Sequence, residues 1–188
     1  MRSFIRSRRA LGTPVSNLII LMAAVILSTT VVIFAVNLTS SQLQKESLFI
    51  ASSHVWYANS TFSEGAVILT NIGSTDSVLS KIDVDGLLCQ WNSTDNYVVY
   101  AINNGTFPGD LVFVGDIAPA GSSTIAIGGQ PFTFSTATGG LTLKAGESIA
   151  FYIAIPSRIM VYNLATSVRT VITTTQAIYC TDTLVEAT

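Results

Sequence analysis

The chain has 188 residues, 49% of them hydrophobic and only 11% charged, with a formal net charge of −2. Four arginines (Arg2, Arg6, Arg8, Arg9) precede the first acidic residue, Glu46, and beyond them five basic residues face eleven acidic ones. The larger part therefore carries about −6, which argues against nucleic acid as a partner, since that binding needs a basic face.

From residue 18 to residue 36 run 19 residues without a charge. At about 1.5 Å of rise per residue they span roughly 28 Å, close to the hydrocarbon thickness of a bilayer. Arginines on the N-terminal side orient such a segment with its N-terminus in the cytoplasm. Val25, Ile26, Leu27, Val31, Val32, Ile33 and Phe34 leave no polar face, as expected of a helix surrounded by lipid or by copies of itself. Ser28, Thr29 and Thr30 are tolerable there because their hydroxyls bond back to helix carbonyls. Pro14 falls early, where a helix accepts proline. Gly12 and Pro14 are the only breakers before Gly65, so the helix is expected over residues 11–57. Val36, Leu43, Ile50 and Tyr57 recur every seven residues along its upper part, with Phe49 and Trp56 as a second line. By these features alone the segment is a secretory signal with a poor cleavage site near Ala35, a twin-arginine signal at Ser7-Arg8-Arg9-Ala10-Leu11, or an uncleaved membrane anchor.

Beyond Gly65 the period changes to that of strands. Apolar runs at 66–70, 78–84, 87–91, 97–102, 111–114, 123–127, 132–135, 141–143, 149–155 and 168–179 alternate with turn signals such as Asp85-Gly86, Asn103-Asn104-Gly105 and Gly128-Gly129. Many short strands at this spacing read as a β-sandwich or barrel, the sandwich being expected over residues 62–188, giving an α+β chain with a long N-terminal helix and an all-β body. The two cysteines, Cys89 and Cys180, suggest one disulfide in an exported domain, with two free thiols as the alternative. Four Asn-x-Ser/Thr sequons, at Asn37, Asn59, Asn92 and Asn104, all follow the apolar run.

The N-terminal pattern resembles a known family. Arg8-Arg9-Ala10-Leu11-Gly12-Thr13-Pro14-Val15 followed by an uninterrupted apolar helix looks like the class III leader of archaeal type IV pilins and archaellins. That resemblance implies cleavage of the 1–10 leader by a prepilin peptidase between Ala10 and Leu11, with Arg8 and Arg9 beside the cut. Thr13 replaces the family's usual Ser, and Val15 stands where bacterial pilins carry Glu at the fifth mature position, which favours the archaeal branch. The stretches GAVILTNIGSTDSVLSKIDVDG and LTLKAGESIAFYIAI also resemble the immunoglobulin-like sandwiches of these families. The resemblance implies a subunit held in the membrane as a single-span form, then passed by the pilus assembly machinery into an extracellular helical homopolymer serving adhesion. An archaellin of a motility filament shares both features, and a membrane-anchored binding domain that never polymerises is the alternative of another class.

Recognisable catalytic chemistry is sparse. His54 is the single histidine, so zinc clusters and imidazole relays are not expected, and it reads as a solvated surface residue. Asp83-x-Asp85-Gly86 reads as a hairpin turn, not a calcium loop. Asp110, Asp116 and Glu147 read as loop carboxylates, and no phosphate loop, nucleophile elbow or dinucleotide fingerprint occurs. No cofactor, metal or enzymatic activity is expected. Trp56, Tyr57, Trp91, Tyr97, Tyr100, Phe107, Tyr152 and Tyr162 read mainly as core and subunit-contact residues.

Overall fold

A computed structural model describes residues 7–43, 45–91, 97–115, 117, 123–156 and 159–188, with the helical side chains described from Pro14 to Ser40. The chain divides into two compact units, Met1–Gln44 and Lys45–Thr188.

The first unit is the helix α1 (Ser7–Leu43), with Pro14 inside it. It stops well short of the expected residue 57. Residues Leu48–Asn59 form strand β1 instead, paired antiparallel with β2 (Phe62–Asn71) along its whole length. The seven-residue recurrence of Ile50 and Tyr57 was therefore coincidental to a different period. The sequence LFIASSHVWYAN is rich in β-branched and aromatic residues, and the cross-strand partners in β2 override the absence of a helix breaker.

Among the described residues nine further strands follow: β3 (Ser77–Val84), β4 (Leu87–Cys89), β5 (Tyr97–Asn103), β6 (Ser123–Ile127), β7 (Gln130–Thr136), β8 (Leu141–Leu143), β9 (Ser148–Ala154), β10 (Ser167–Thr174) and β11 (Ile178–Ala187). The pairing order is β4-β3-β10-β11-β1-β2-β9-β5-β7-β6, with β8 also on β3. The β1–β11 pair is parallel, so the sheet is mixed. The hairpin predicted at Asp85-Gly86 joins β3 to β4, with φ values of 51° and 74° that suit a two-residue turn with both residues left-handed.

Val67 and Leu69 of β2, Val98 of β5, and Ile149, Phe151 and Ile153 of β9 pack in one cluster with Leu79, Ile82 and Val84 of β3 and Val168 and Ile172 of β10. Strands so far apart in the pairing order meet only if the sheet folds back on itself into two layers. The opposite face of the same central strands presents Ala66, Ile68, Val99, Ala101, Ala150 and Tyr152. These residues are covered by Leu111, Ile117, Ile125, Ile127 and Phe134. Strand β9 is thus buried at every position, which explains why SIAFYIA is a near-continuous apolar run and not an alternating one.

Candidate functional site

Among the described residues two features carry chemistry, and they belong to separate units. The first is the surface of α1. Residues Pro14–Ser40 form a helix long and apolar enough to cross a membrane, and all 27 are exposed. At 1.5 Å per residue the span is about 40 Å, longer than the ~30 Å hydrocarbon core. Its threonines are neutralised locally: Thr29, Thr30 and Thr39 donate to the carbonyls of Val25, Ile26 and Ala35 at 2.8, 2.8 and 2.9 Å. Asn17, Ile20, Leu21, Ala24, Val25, Ser28 and Thr29 share one shallowly grooved face. The small side chains Ala24 and Ser28 would let a second helix approach closely there.

The second feature lies on the β body, where residues 107–115 and Ile117 cross the outer face of the central strands without regular structure. The sequence suggested a strand at 111–114, but the backbone groups there are satisfied by side chains. Tyr152 Oη donates to Val112 O (3.0 Å) and accepts from Val112 N–H (3.3 Å). The Glu64 carboxylate accepts from Val114 N–H (3.1 Å) and Gly115 N–H (3.0 Å), and Tyr97 Oη donates to Ile117 O. The segment enters past Gly109, where a Cβ would lie 2.6 Å from Gly128 Cα, so only glycine fits.

Burial decides the ionisation of these groups. Glu64 is fully buried, and desolvation raises its pKa against the opposing effect of the two backbone N–H groups. Burial likewise pushes the Tyr152 hydroxyl up to about 12.

At the start of the segment Asp110 meets β1. Ser52 Oγ donates to Asp110 Oδ1, and His54 Nε2 lies 3.1 and 3.2 Å from the two carboxylate oxygens. The other ring nitrogen, Nδ1, is 3.4 Å from Glu186 Oε1 near the end of β11, while Trp56 Nε1–H donates to Glu186 Oε2 at 3.1 Å. The His54 and Trp56 rings are stacked 5.1 Å apart and nearly parallel. The pKa of Asp110 is lowered, chiefly by the Ser52 hydroxyl. His54 is therefore not the freely solvated residue expected: its side chain is 22% exposed and bracketed by two carboxylates. No short motif encodes this, because the partners lie 56 and 132 residues away. The composition is that of a Ser-His-Asp triad but the order is not. The serine bonds the carboxylate instead of the imidazole, so nothing here activates a nucleophile.

The cysteines do not meet. Cys89 is buried, Cys180 is exposed, and both are free thiols. Strands β3 and β10 lie between β4 and β11, a separation of about 14 Å at normal strand spacing, twice the reach of a disulfide. The register Cys89↔Ile82, Ile82↔Ile172 and Ile172↔Tyr179 puts Cys180 on the opposite face as well. Burial and the nearby Asp83 push the Cys89 thiol up to about 12.

Of the sequons, Asn37 lies in α1 within the apolar span. Asn59 ends β1 at an exposed turn, where Thr61 N–H and Oγ1 donate to its Oδ1 at 2.9 and 2.7 Å. Asn104 is exposed just after β5, and Asn92 lies outside the described residues, as does Asp116. Arg8, Arg9, Ala10 and Leu11 fall in the first turns of α1, with side chains outside the described set. Glu147 accepts the Lys144 N–H at 3.1 Å in a tight turn.

No protein-family model matches the chain, and no curated protein matches it. Among solved structures, the sporulation control protein Spo0M from Bacillus subtilis aligns over 77% of this chain at 13% identity, with a TM-score of 0.28. The aligned region is 49% of that protein's chain, so the alignment spans about half its length, and a likeness this loose says nothing about function.

Proposed function

We propose that the chain is a structural subunit of an extracellular filament of the archaeal type IV pilus kind, polymerising through α1 and displaying its β body outside. The observation that carries this reading is a 27-residue apolar helix exposed on every side, attached to a separately packed β body and preceded by the Arg8-Arg9-Ala10-Leu11 leader pattern. An exposed surface of that kind is stable only in lipid or against other apolar helices, and a filament subunit uses both in succession. In this reading a prepilin peptidase removes residues 1–10, the membrane holds the subunit through α1, and assembly replaces lipid with neighbouring copies. Adhesion is a property of the resulting polymer, and the immunoglobulin-like label for the body rests on the same family resemblance. Glycans would sit at Asn59 and Asn104, whose turns are exposed.

The membrane-anchored reading draws on the same helix, which is long enough to span a bilayer without assembling. Negative-stain microscopy of sheared cell-surface material, with antibody to the β body, separates the two. Filaments labelled along their length are expected; label confined to membrane vesicles would overturn the proposal.

A further inference from the structure

We infer that His54 is a proton-operated latch for the irregular segment 107–115, closed by the imidazolium and loosened by the neutral ring. Both ring nitrogens face carboxylates, Nε2 toward Asp110 at 3.1 and 3.2 Å and Nδ1 toward Glu186 at 3.4 Å. An ionised carboxylate only accepts hydrogen bonds. The neutral ring has one N–H, so on one side it sets a lone pair against a carboxylate oxygen, whereas the imidazolium donates on both.

The surroundings leave the ring little choice of position. Trp56 stacks on it and simultaneously holds Glu186 through its indole N–H. Asp110 is fixed by the Ser52 hydroxyl and by the Leu111 N–H, which donates to Oδ1 at 2.9 Å. The ionisable groups facing the ring are thus Asp110 from the segment and Glu186 from β11; β1 itself contributes Ser52 and Trp56, and the cross-strand neighbour in β2 is Ala66. Among the described residues no lysine or arginine is paired with either carboxylate.

The latch holds the end of the segment that the other side chains do not. Tyr152 and Glu64 secure Val112, Val114 and Gly115 from below. Among the described residues the Asp110 side chain is tied to the sheet through Ser52 and His54, while Phe107 packs on Phe132 and Gly109 against Gly128 just before it. Beside it lies a depression of about 300 Å³ lined by Ser52, Ile68, Thr70, Phe107 and Asp110, among others. Deprotonating His54 leaves a single N–H for the two carboxylates and takes the charge out of both links, which weakens the hold on this rim. The inference requires only the folded β body and stands whether or not the chain forms filaments.

Hydrogen exchange of the full chain at pH 5 and at pH 8 tests it. Exchange of the Leu111 amide, which donates to Asp110, is corrected for intrinsic rate and referred to the β9 amides, with the Val114 and Gly115 amides held by Glu64 as the comparison. Protection is expected to be higher at pH 5 by a factor of about five, the scale of one partly exposed ion pair. Glu186→Gln is the discriminating variant. Its amide can donate to the neutral Nδ1 while its oxygen still accepts the Trp56 N–H, so protection should stay high and lose its pH dependence. His54→Phe keeps the stack and loses both links, so protection should be low at both pH values. Equal protection of the wild type at the two pH values would overturn the inference. So would a Glu186→Gln variant that keeps the wild-type dependence, which would assign the effect to Glu64 instead.

Discussion

Replacing Glu64 tests whether side chains, and not strand pairing, hold the segment over the outer face of the sheet. Glu64→Ala strands the Val114 and Gly115 N–H groups beneath that segment. Both bonds are part-buried, so each orphan costs about 1–2 kcal/mol, the lower part of the usual range, and the pair roughly 2–4 kcal/mol out of a total near 5–15 kcal/mol. For a body of this size that is a fall in Tm of about 10 °C. Tryptophan fluorescence of Trp56 and Trp91 during thermal or urea unfolding of the detergent-solubilised chain reads it. Glu64→Gln adds a test of sign. Because burial raises the Glu64 pKa, its contribution is fully present below the unfolded carboxylate pKa. It is then lost as pH rises through the folded value. The Gln variant has no such group, so its deficit relative to wild type should be largest in acid and shrink toward neutrality. A loss below ~0.5 kcal/mol in Glu64→Ala, or a Gln deficit that grows with pH, would refute the reasoning.

The remaining expectations concern other parts of the chain. Tyr152→Phe should lower stability by about 1–2 kcal/mol, read as a urea midpoint shift at constant m, because one hydroxyl serves both backbone groups of Val112. Native alkylation should label Cys180 quickly and Cys89 only after unfolding, with no mass change on prior reduction; a reduction-dependent shift would restore the disulfide. Glycopeptide mapping should find glycan at Asn59 and Asn104 and none at Asn37, which lies within the apolar helix. Val25→Lys, a charge in the middle of the span, should cost about 2.5–3.5 kcal/mol of membrane insertion and reduce the filament yield seen by microscopy.

The parts that were legible in the sequence are those decided by local period. The apolar run from 18 to 36 and the doubly buried runs of β2 and β9 announce themselves because one burial environment persists over many residues. The junction does not. Nothing between Pro14 and Gly65 breaks a helix, so local rules extend α1 through residue 57, and only the pairing of β1 with β2 and β11 shows otherwise. Residues 111–114 have strand composition, yet their hydrogen bonds go to Tyr152 and Glu64, partners 40 and 50 residues away. The His54 bracket draws on β1, β11 and the Asp110 turn, and an even cysteine count misled because strand order and facing are not written in spacing.

The central claim is that α1 is an assembly helix exposed by leader cleavage. The measurement that tests it most directly is the intact mass and N-terminal residue of the chain recovered from sheared surface material. A chain beginning at Leu11 is predicted; a chain retaining Met1 and found only in the membrane fraction would contradict the account.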